Sequence, residues 1–139
     1  MDNFIRVYQN AFSDELCDRL INKFESTPES SKERHDMGEM HFSQVNFRAC
    51  GWKQEQDELV NIFLSHTKKY TDDVGITTEF PQKYALEDIR LKKYSPDGYD
   101  QFGPHVDVID KNTSTRFLVF FVYLDDNISG GTHFNRINL

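Results

Sequence analysis

The chain has 139 residues, of which 37% are hydrophobic and 14% aromatic, and it carries a formal net charge of −7. This composition is that of a single globular domain and excludes a disordered chain. The negative charge disfavours phosphate backbones, so we expect no nucleic-acid partner. The longest apolar run, residues 117–124, is far too short to span a bilayer, so we expect no membrane partner either.

The first predicted elements are a short strand and a helix. Residues 4–8 would place Ile5 and Val7 on one face of the strand. Ser13 is a candidate N-cap for the helix that follows. Helical spacing then connects a stripe of apolar residues, Leu16, Cys17, Leu20, Ile21 and Phe24. No basic region followed by an apolar stretch opens the chain, which predicts a soluble, cytoplasmic protein without a signal peptide.

The middle of the chain combines an irregular segment with a second helix. Residues 27–51 are polar and without a clear period. A functional flap and a solvated loop with one or two short strands are equally compatible with that segment. Residues 52–70 form a predicted amphipathic helix whose apolar face belongs to the core. The two cysteines, Cys17 and Cys50, are predicted to be reduced thiols.

The C-terminal half changes to a period of two residues, which indicates strands. In chain order we predict a strand at 87–94, a turn at 95–98, a short strand at 105–109, a polar loop at 110–115 and a strand at 116–124. The last strand is so apolar that both of its faces should be covered. Two N-terminal helices followed by a β-rich half predict an α+β fold.

His105 and Asp107 are the strongest candidates for chemistry. Residues i and i+2 of a strand project from the same face, so the imidazole and the carboxylate should lie side by side. Together they make up two thirds of the set of two histidines and one carboxylate that holds non-haem Fe(II). The tripeptide alone is weak evidence for a metal site, because the same three residues can form a simple surface ion pair at the start of a strand.

Further motifs flank His105-Val106-Asp107 in a fixed order. They are Arg90-Leu91-Lys92-Lys93-Tyr94 and Gly98 upstream, then Arg116-Phe117-Leu118, Tyr123-Leu124-Asp125 and Gly130-Gly131-Thr132-His133-Phe134 downstream. In this order the chain resembles the prolyl 4-hydroxylase-like branch of the Fe(II)- and 2-oxoglutarate-dependent dioxygenases. The opening of the chain is also similar to that of these domains, and the resemblance covers about residues 4–24 and 87–134.

The resemblance implies a double-stranded β-helix, or jelly roll, supported by the N-terminal helices in a single dioxygenase-like domain over residues 1–139. It implies that His105 and Asp107 ligate Fe(II). By position, Tyr123 would donate a hydrogen bond to the distal carboxylate of 2-oxoglutarate, and Tyr94 would line the same pocket. The alternative for Tyr123 is an ordinary core aromatic residue. For Arg116 we expect an ion pair with a nearby acidic residue.

The implied reaction is the hydroxylation of a C–H bond. Fe(II) is the implied cofactor, with 2-oxoglutarate and O2 as co-substrates that yield succinate and CO2, and ascorbate as a reductant that the resemblance suggests. The substrate would be a prolyl or other residue of a protein or peptide, or a small molecule. No catalytic residue beyond the metal ligands is expected, because no side chain need act as a nucleophile.

The chain departs from the family pattern after Gly131, which only eight residues follow. The family has a second histidine ligand and a basic anchor for 2-oxoglutarate some tens of residues later, and His133 stands where the family has no ligand. We therefore expect a jelly roll that is incomplete at its C-terminus. A fragment, a shortened coding sequence and a short protein completed by an oligomer or a partner chain all fit this pattern.

Two alternative functions stay open. The first is a catalytically inactive, truncated jelly-roll binding module in which His105 and Asp107 are vestigial. The second is a cupin-type metalloprotein that uses no oxo acid, although such a site would be expected to have more histidines near His105 and would not need Tyr123.

Overall fold

A computed structural model describes residues 4–127 and 130–134. Over these residues the chain has a mixed α+β architecture of two helices and one small antiparallel sheet that does not close into a barrel. The predicted α+β class is thus confirmed. In the described part of the chain, neither helix combines the length and the apolar composition needed to cross a bilayer.

Helix α1 spans Asp14–Ser26 and begins as the sequence predicts. The Ser13 hydroxyl accepts a hydrogen bond from the backbone N–H of Leu16 at 3.3 Å, which satisfies one free donor of the first turn. Asp14 and Glu15 place negative charge at the positive end of the helix dipole. The predicted apolar stripe is buried at its centre, at Leu16, Leu20 and Phe24.

Helix α2 spans Lys53–Val74, so it continues one turn beyond the predicted end. Gly75 terminates it with a φ of 77°, a left-handed conformation that a glycine adopts at little cost. Leu59 and Tyr70 on its inner face are buried, as the amphipathic pattern predicts.

The irregular segment 27–51 contains the centre of the sheet rather than a flap. Strands β1 (Glu33–Met37) and β2 (Met40–Asn46) form an antiparallel hairpin. The other edge of β2 pairs with β3 (Arg90–Lys93) and, near the hairpin turn, with β4 (Gln101–Phe102).

The core lies between the two helices and one face of the sheet. Val45 of β2 is fully buried and is paired in register with Leu91 of β3. Phe47 packs on Trp52 with ring centres 4.8 Å apart. The buried cluster consists of Phe12, Leu16, Leu20, Phe24, Val45, Phe47, Trp52 and Leu59. Each fully buried large side chain contributes about 1.5–3 kcal/mol to folding, so this cluster is the main source of stability.

The opposite face of the sheet, which we call the open face, carries His35, Phe42, Lys92, Tyr94 and Phe102. The register pairs His35 with Phe42 and Gln44 with Lys92, which places these side chains on one side. The Phe42 ring lies 5.4 Å from that of Phe102 and 5.6 Å from that of Tyr94. The open face is therefore aromatic and lies away from the helices.

The predicted strand at residues 4–8 is wrong. This segment forms no strand and is held against the end of α2 instead. Tyr70 donates its hydroxyl to the carbonyl of Phe4 at 2.8 Å, and Tyr8 donates to the Asp73 carboxylate at 2.9 Å. Side-chain hydrogen bonds to a helix thus take the place of strand pairing.

Two predicted strands of the C-terminal half are not formed as paired strands. Residues 105–109 and 116–124 form no strand, and within the described chain residues 117–124 make no backbone–backbone hydrogen bonds. A strand requires a partner for its ladder, and neither segment meets one there.

Residues 117–124 nevertheless keep the alternation of a strand. Leu118, Phe120, Val122 and Leu124 face inward and are partly buried. The other side, which we call the exposed stripe, has exposed fractions of 53% for Phe117, 52% for Val119, 55% for Phe121 and 52% for Tyr123. The expectation that both faces are covered is therefore wrong in the described structure, where only one face is covered.

Candidate metal centre

His105 lies just beyond β4 and is oriented by two contacts. Its ring stacks on Phe102 with centres 4.0 Å apart, and its Nδ1 lies 2.8 Å from the carbonyl oxygen of Gly103. A carbonyl only accepts, so Nδ1 carries the hydrogen and donates it. In the neutral ring this leaves the lone pair on Nε2, which is the usual arrangement of a metal-binding histidine.

Asp107 places its carboxylate next to that free nitrogen. Its Oδ1 lies 3.5 Å from His105 Nε2, and both side chains are partly exposed. Metal–ligand bonds to nitrogen and oxygen are about 2.0–2.2 Å long, so one divalent ion can contact both atoms. The two side chains thus lie together as the spacing predicts, although the segment between them is not a regular strand.

Arg116 links this segment to the residues that precede β3. It donates one N–H to the backbone carbonyl of Asp107 at 2.9 Å. It also forms a bidentate ion pair with Glu87, in which the N–O distances are 2.6 and 2.8 Å. This ion pair lowers the pKa of the Glu87 carboxyl group. The expected acidic partner of Arg116 is therefore Glu87, for which the sequence pattern predicts no role.

Lys92 is a second residue that the sequence left without a role. Its Nζ lies 4.0 Å from the centre of the Phe102 ring and 4.4 Å from that of Phe42. Burial, together with the nearby Arg90, lowers the pKa of Lys92, while Asp107 acts in the opposite direction. A half-buried ammonium thus stands on the open face near the His105–Asp107 pair.

Tyr94 and Tyr123 are near each other on the same side of the molecule. Burial, followed by the nearness of Tyr123 and Asp100, raises the pKa of Tyr94 to about 12. The Tyr123 hydroxyl lies 2.6 Å from the hydroxyl of Thr132. Tyr123 also lines a cavity of about 180 Å³ with Asp125, Asp126, Asn127 and Gly131. The Tyr94 phenol therefore remains neutral near pH 7 and able to donate a hydrogen bond.

Two histidines of the N-terminal half, His35 and His41, contact residues other than His105 and Asp107. His41 lies 2.5 Å from the Asp36 carboxylate and packs against Tyr99. His35 stacks on Phe42, with ring centres 4.7 Å apart. Over residues 4–127 and 130–134, no group of three or more His, Cys, Asp or Glu side chains is arranged to hold a metal ion. The described chain therefore brings together two candidate ligands, His105 and Asp107.

Comparison with protein-family models, curated proteins and solved structures finds no match for this chain. The resemblance to dioxygenases therefore depends on the ordered motifs between Arg90 and Phe134.

Proposed function

We propose that this chain is an Fe(II)- and 2-oxoglutarate-dependent dioxygenase domain of the prolyl 4-hydroxylase type. The observation that carries the proposal is the pairing of His105 Nε2 with Asp107 Oδ1 at 3.5 Å, with Nδ1 already engaged by the Gly103 carbonyl. A chance surface ion pair needs no fixed tautomer. A metal ligand does, because the coordinating nitrogen must be free of its proton.

The donor set suits ferrous iron. A neutral imidazole nitrogen and a carboxylate oxygen are two of the three ligands of the facial set, and the third would come from outside the described residues. Bound iron with 2-oxoglutarate and O2 would supply the oxidising power to hydroxylate a C–H bond of a protein residue or a small molecule, with ascorbate as a reductant.

The remaining residues would orient the ligand Asp107 and line the pocket for 2-oxoglutarate. The Arg116–Glu87 pair fixes the backbone of Asp107. Tyr123 would donate to the distal carboxylate of 2-oxoglutarate, and Tyr94, next to it, would line the same pocket. In this proposal the domain is a double-stranded β-helix whose interior is lined by the open face and the exposed stripe.

Metal titration of single variants tests the proposal. We expect His105→Ala and Asp107→Ala each to weaken Mn(II) binding at least about tenfold, since each removes one direct ligand. Free Mn(II) measured by electron paramagnetic resonance gives the affinity, and urea unfolding checks that the fold is kept. His66→Ala on α2 and Asp97→Ala in the turn are matched controls that should bind like the parent chain. Unchanged binding in both site variants would contradict the proposal.

A binding module without catalysis is the second candidate, and the exposed stripe favours it. Phe117, Val119 and Phe121 expose apolar surface, and the backbone beside them is unpaired within the described residues. An extended peptide could add its backbone there and cover the stripe with alternate side chains. In that case Mn(II) would bind weakly and would not respond to His105→Ala.

A further inference from the structure

A cavity of about 440 Å³ lies at the C-terminal end of α2. Its volume is within the range of small-molecule sites. The lining combines one acidic residue with apolar and aromatic ones, namely Phe4, Tyr70, Ile76, Glu79, Phe80, Pro81, Phe117 and Leu118. The cavity is open to solvent, since the exposed fractions of Phe4 and Phe117 are 59% and 53%. A small molecule can therefore enter it without unfolding any part of the chain.

Local hydrogen bonds hold the lining of this cavity in place. The backbone N–H groups of Glu79 and Phe80 donate to the carbonyl of Ile76, at 3.1 and 2.9 Å, which forms a turn after the end of α2. Tyr70 donates its hydroxyl to the Phe4 carbonyl at 2.8 Å. A site whose lining is already fixed loses less conformational entropy when it binds a ligand.

The aromatic rings of the lining are set at steep angles to one another. The ring centres of Phe80 and Phe117 are 5.4 Å apart, and their planes enclose an angle of 74°. Tyr84 packs on Phe80 in the same way, with ring centres 5.4 Å apart. An aromatic face attracts a cation that lies within about 6 Å of its centre. The aromatic lining therefore favours a cation over a neutral group of the same shape.

Glu79 is the charged residue of the lining. Within the described part of the chain its carboxylate has no ion pair or hydrogen bond, whereas Asp73, in the last turn of α2, is paired with Lys69 at 2.8 Å. An unpaired carboxylate beside aromatic rings attracts a cation that enters the cavity. The formal net charge of −7 on the whole chain acts in the same direction.

We propose that this cavity binds an organic quaternary ammonium ion with an apolar body. A primary ammonium gives up hydrogen bonds to water and finds one carboxylate in return, whereas a quaternary ammonium has no N–H group to satisfy. Glu79 and the rings of Phe80 and Phe117 compensate its charge, while Ile76 and Leu118 contact its apolar body. The lining includes neither candidate metal ligand, so the inference is independent of iron.

The test compares two probes of the same shape on the full chain without added metal. Phenyltrimethylammonium carries the charge, and tert-butylbenzene has carbon in place of the charged nitrogen. Each probe gives a single methyl signal in the proton NMR spectrum, and its broadening on titration with the protein gives the dissociation constant. We expect the parent chain to bind the charged probe at least about threefold more tightly than the neutral one.

Variants separate the contributions of the carboxylate and the rings. Glu79→Gln should weaken the binding of phenyltrimethylammonium about three- to fivefold and leave tert-butylbenzene unchanged. Phe80→Leu keeps an apolar side chain but removes one aromatic face, so it should weaken the charged probe more than the neutral one. Glu58→Gln on α2 and Phe121→Leu in the exposed stripe are matched controls outside the lining and should bind both probes like the parent chain.

Other results would overturn the inference. Equal affinities of the parent chain for the two probes, or no binding of either, would show that the cavity does not select a cation. A preference that stays unchanged in Glu79→Gln or in Phe80→Leu would mean that the charged probe binds elsewhere on the acidic surface. Urea unfolding checks that each variant is folded, and Phe117→Leu replaces Phe80→Leu if the latter is less stable than the parent chain.

Discussion

The helix-side core and the exposed stripe contain similar side chains in different environments. On the helix side, Leu20, Val45 and Phe47 are almost completely buried. In the exposed stripe, Phe117 and Phe121 have about half of their surface in contact with solvent. Residue type is not the cause, because both regions are rich in phenylalanine and branched aliphatic residues. The difference lies in whether a second layer covers the surface.

This contrast separates stability from chemistry. The helix-side cluster provides most of the buried apolar area and therefore most of the hydrophobic stabilisation. The candidate ligands His105 and Asp107 and the neighbouring Tyr123 lie outside this cluster and are largely exposed, whereas Lys92 is half-buried. Regions with few buried contacts open at lower free energy, which would suit the proposed site, since it would have to admit a co-substrate and a substrate.

The largest predicted effect lies in the helix-side core. Leu20→Ala should lower the free energy of unfolding by about 2–5 kcal/mol, because it leaves a cavity among well-packed side chains. Phe121→Ala, a larger truncation in the exposed stripe, should change it by about 0.5 kcal/mol or less, because the ring is 55% exposed. Urea unfolding of the two variants measures the difference directly.

If Phe121→Ala lowered the free energy of unfolding as much as Leu20→Ala, the contrast between the two regions would be wrong, because the stripe would then be covered in solution. Repeating the unfolding at several protein concentrations would then identify the cover. A midpoint that rises with concentration indicates self-association.

An intermediate effect, on metal affinity, is expected at the ion pair between Glu87 and Arg116. Glu87→Gln weakens the hold of Arg116 on the Asp107 backbone, so Mn(II) affinity should fall by about tenfold, within the range of outer-shell changes. Glu58→Gln, which breaks the surface pair with Arg19 on the helix side, is the matched control and should leave metal affinity unchanged. Equal affinities in Glu87→Gln and the parent chain would remove Arg116 from the account of the site.

The smallest effect concerns acid stability. The Arg34 guanidinium, paired with Asp100 at 2.6 Å, holds the pKa of that carboxyl group at about 2. Because this pKa is depressed in the folded chain, the stabilisation is present above the ordinary aspartate range and is lost as the pH falls from about 4 towards 2.

Asp100→Asn should therefore be less stable than the parent chain at neutral pH, and the difference should disappear near pH 2. Urea midpoints measured from pH 2 to pH 7 test this expectation, with the exposed Asp18→Asn on α1 as the control. A difference that stays constant over the whole range would show that Asp100 acts through packing rather than through its charge.

The sequence predicts the parts of this fold whose signals are local. Helix α1 follows from the Ser13 cap and an apolar stripe, and α2 from its amphipathic pattern. The hairpin of β1 and β2 is less evident, because Phe42 faces one side of β2 and Val45 the other, so the segment has no simple alternation of polar and apolar residues.

The same distinction between local and distant contacts applies to the site. The nearness of His105 and Asp107 is predictable, since they are two positions apart. The pairing of Arg116 with Glu87 joins residues 29 positions apart, and the approach of Lys92 to Phe102 depends on both β3 and β4 pairing with β2. Residues 117–124 show what the sequence does not predict. Their apolar composition predicts an extended segment but not the strand that would pair with it.

The most direct test of the central claim is an anaerobic titration of the 139-residue chain with Fe(II) and 2-oxoglutarate, observed in the visible range. The account predicts a charge-transfer absorption of the chelated oxo acid that disappears in His105→Ala and Asp107→Ala. A folded chain that develops no such absorption, or one that keeps it in both variants, would contradict the claim that these two side chains hold iron.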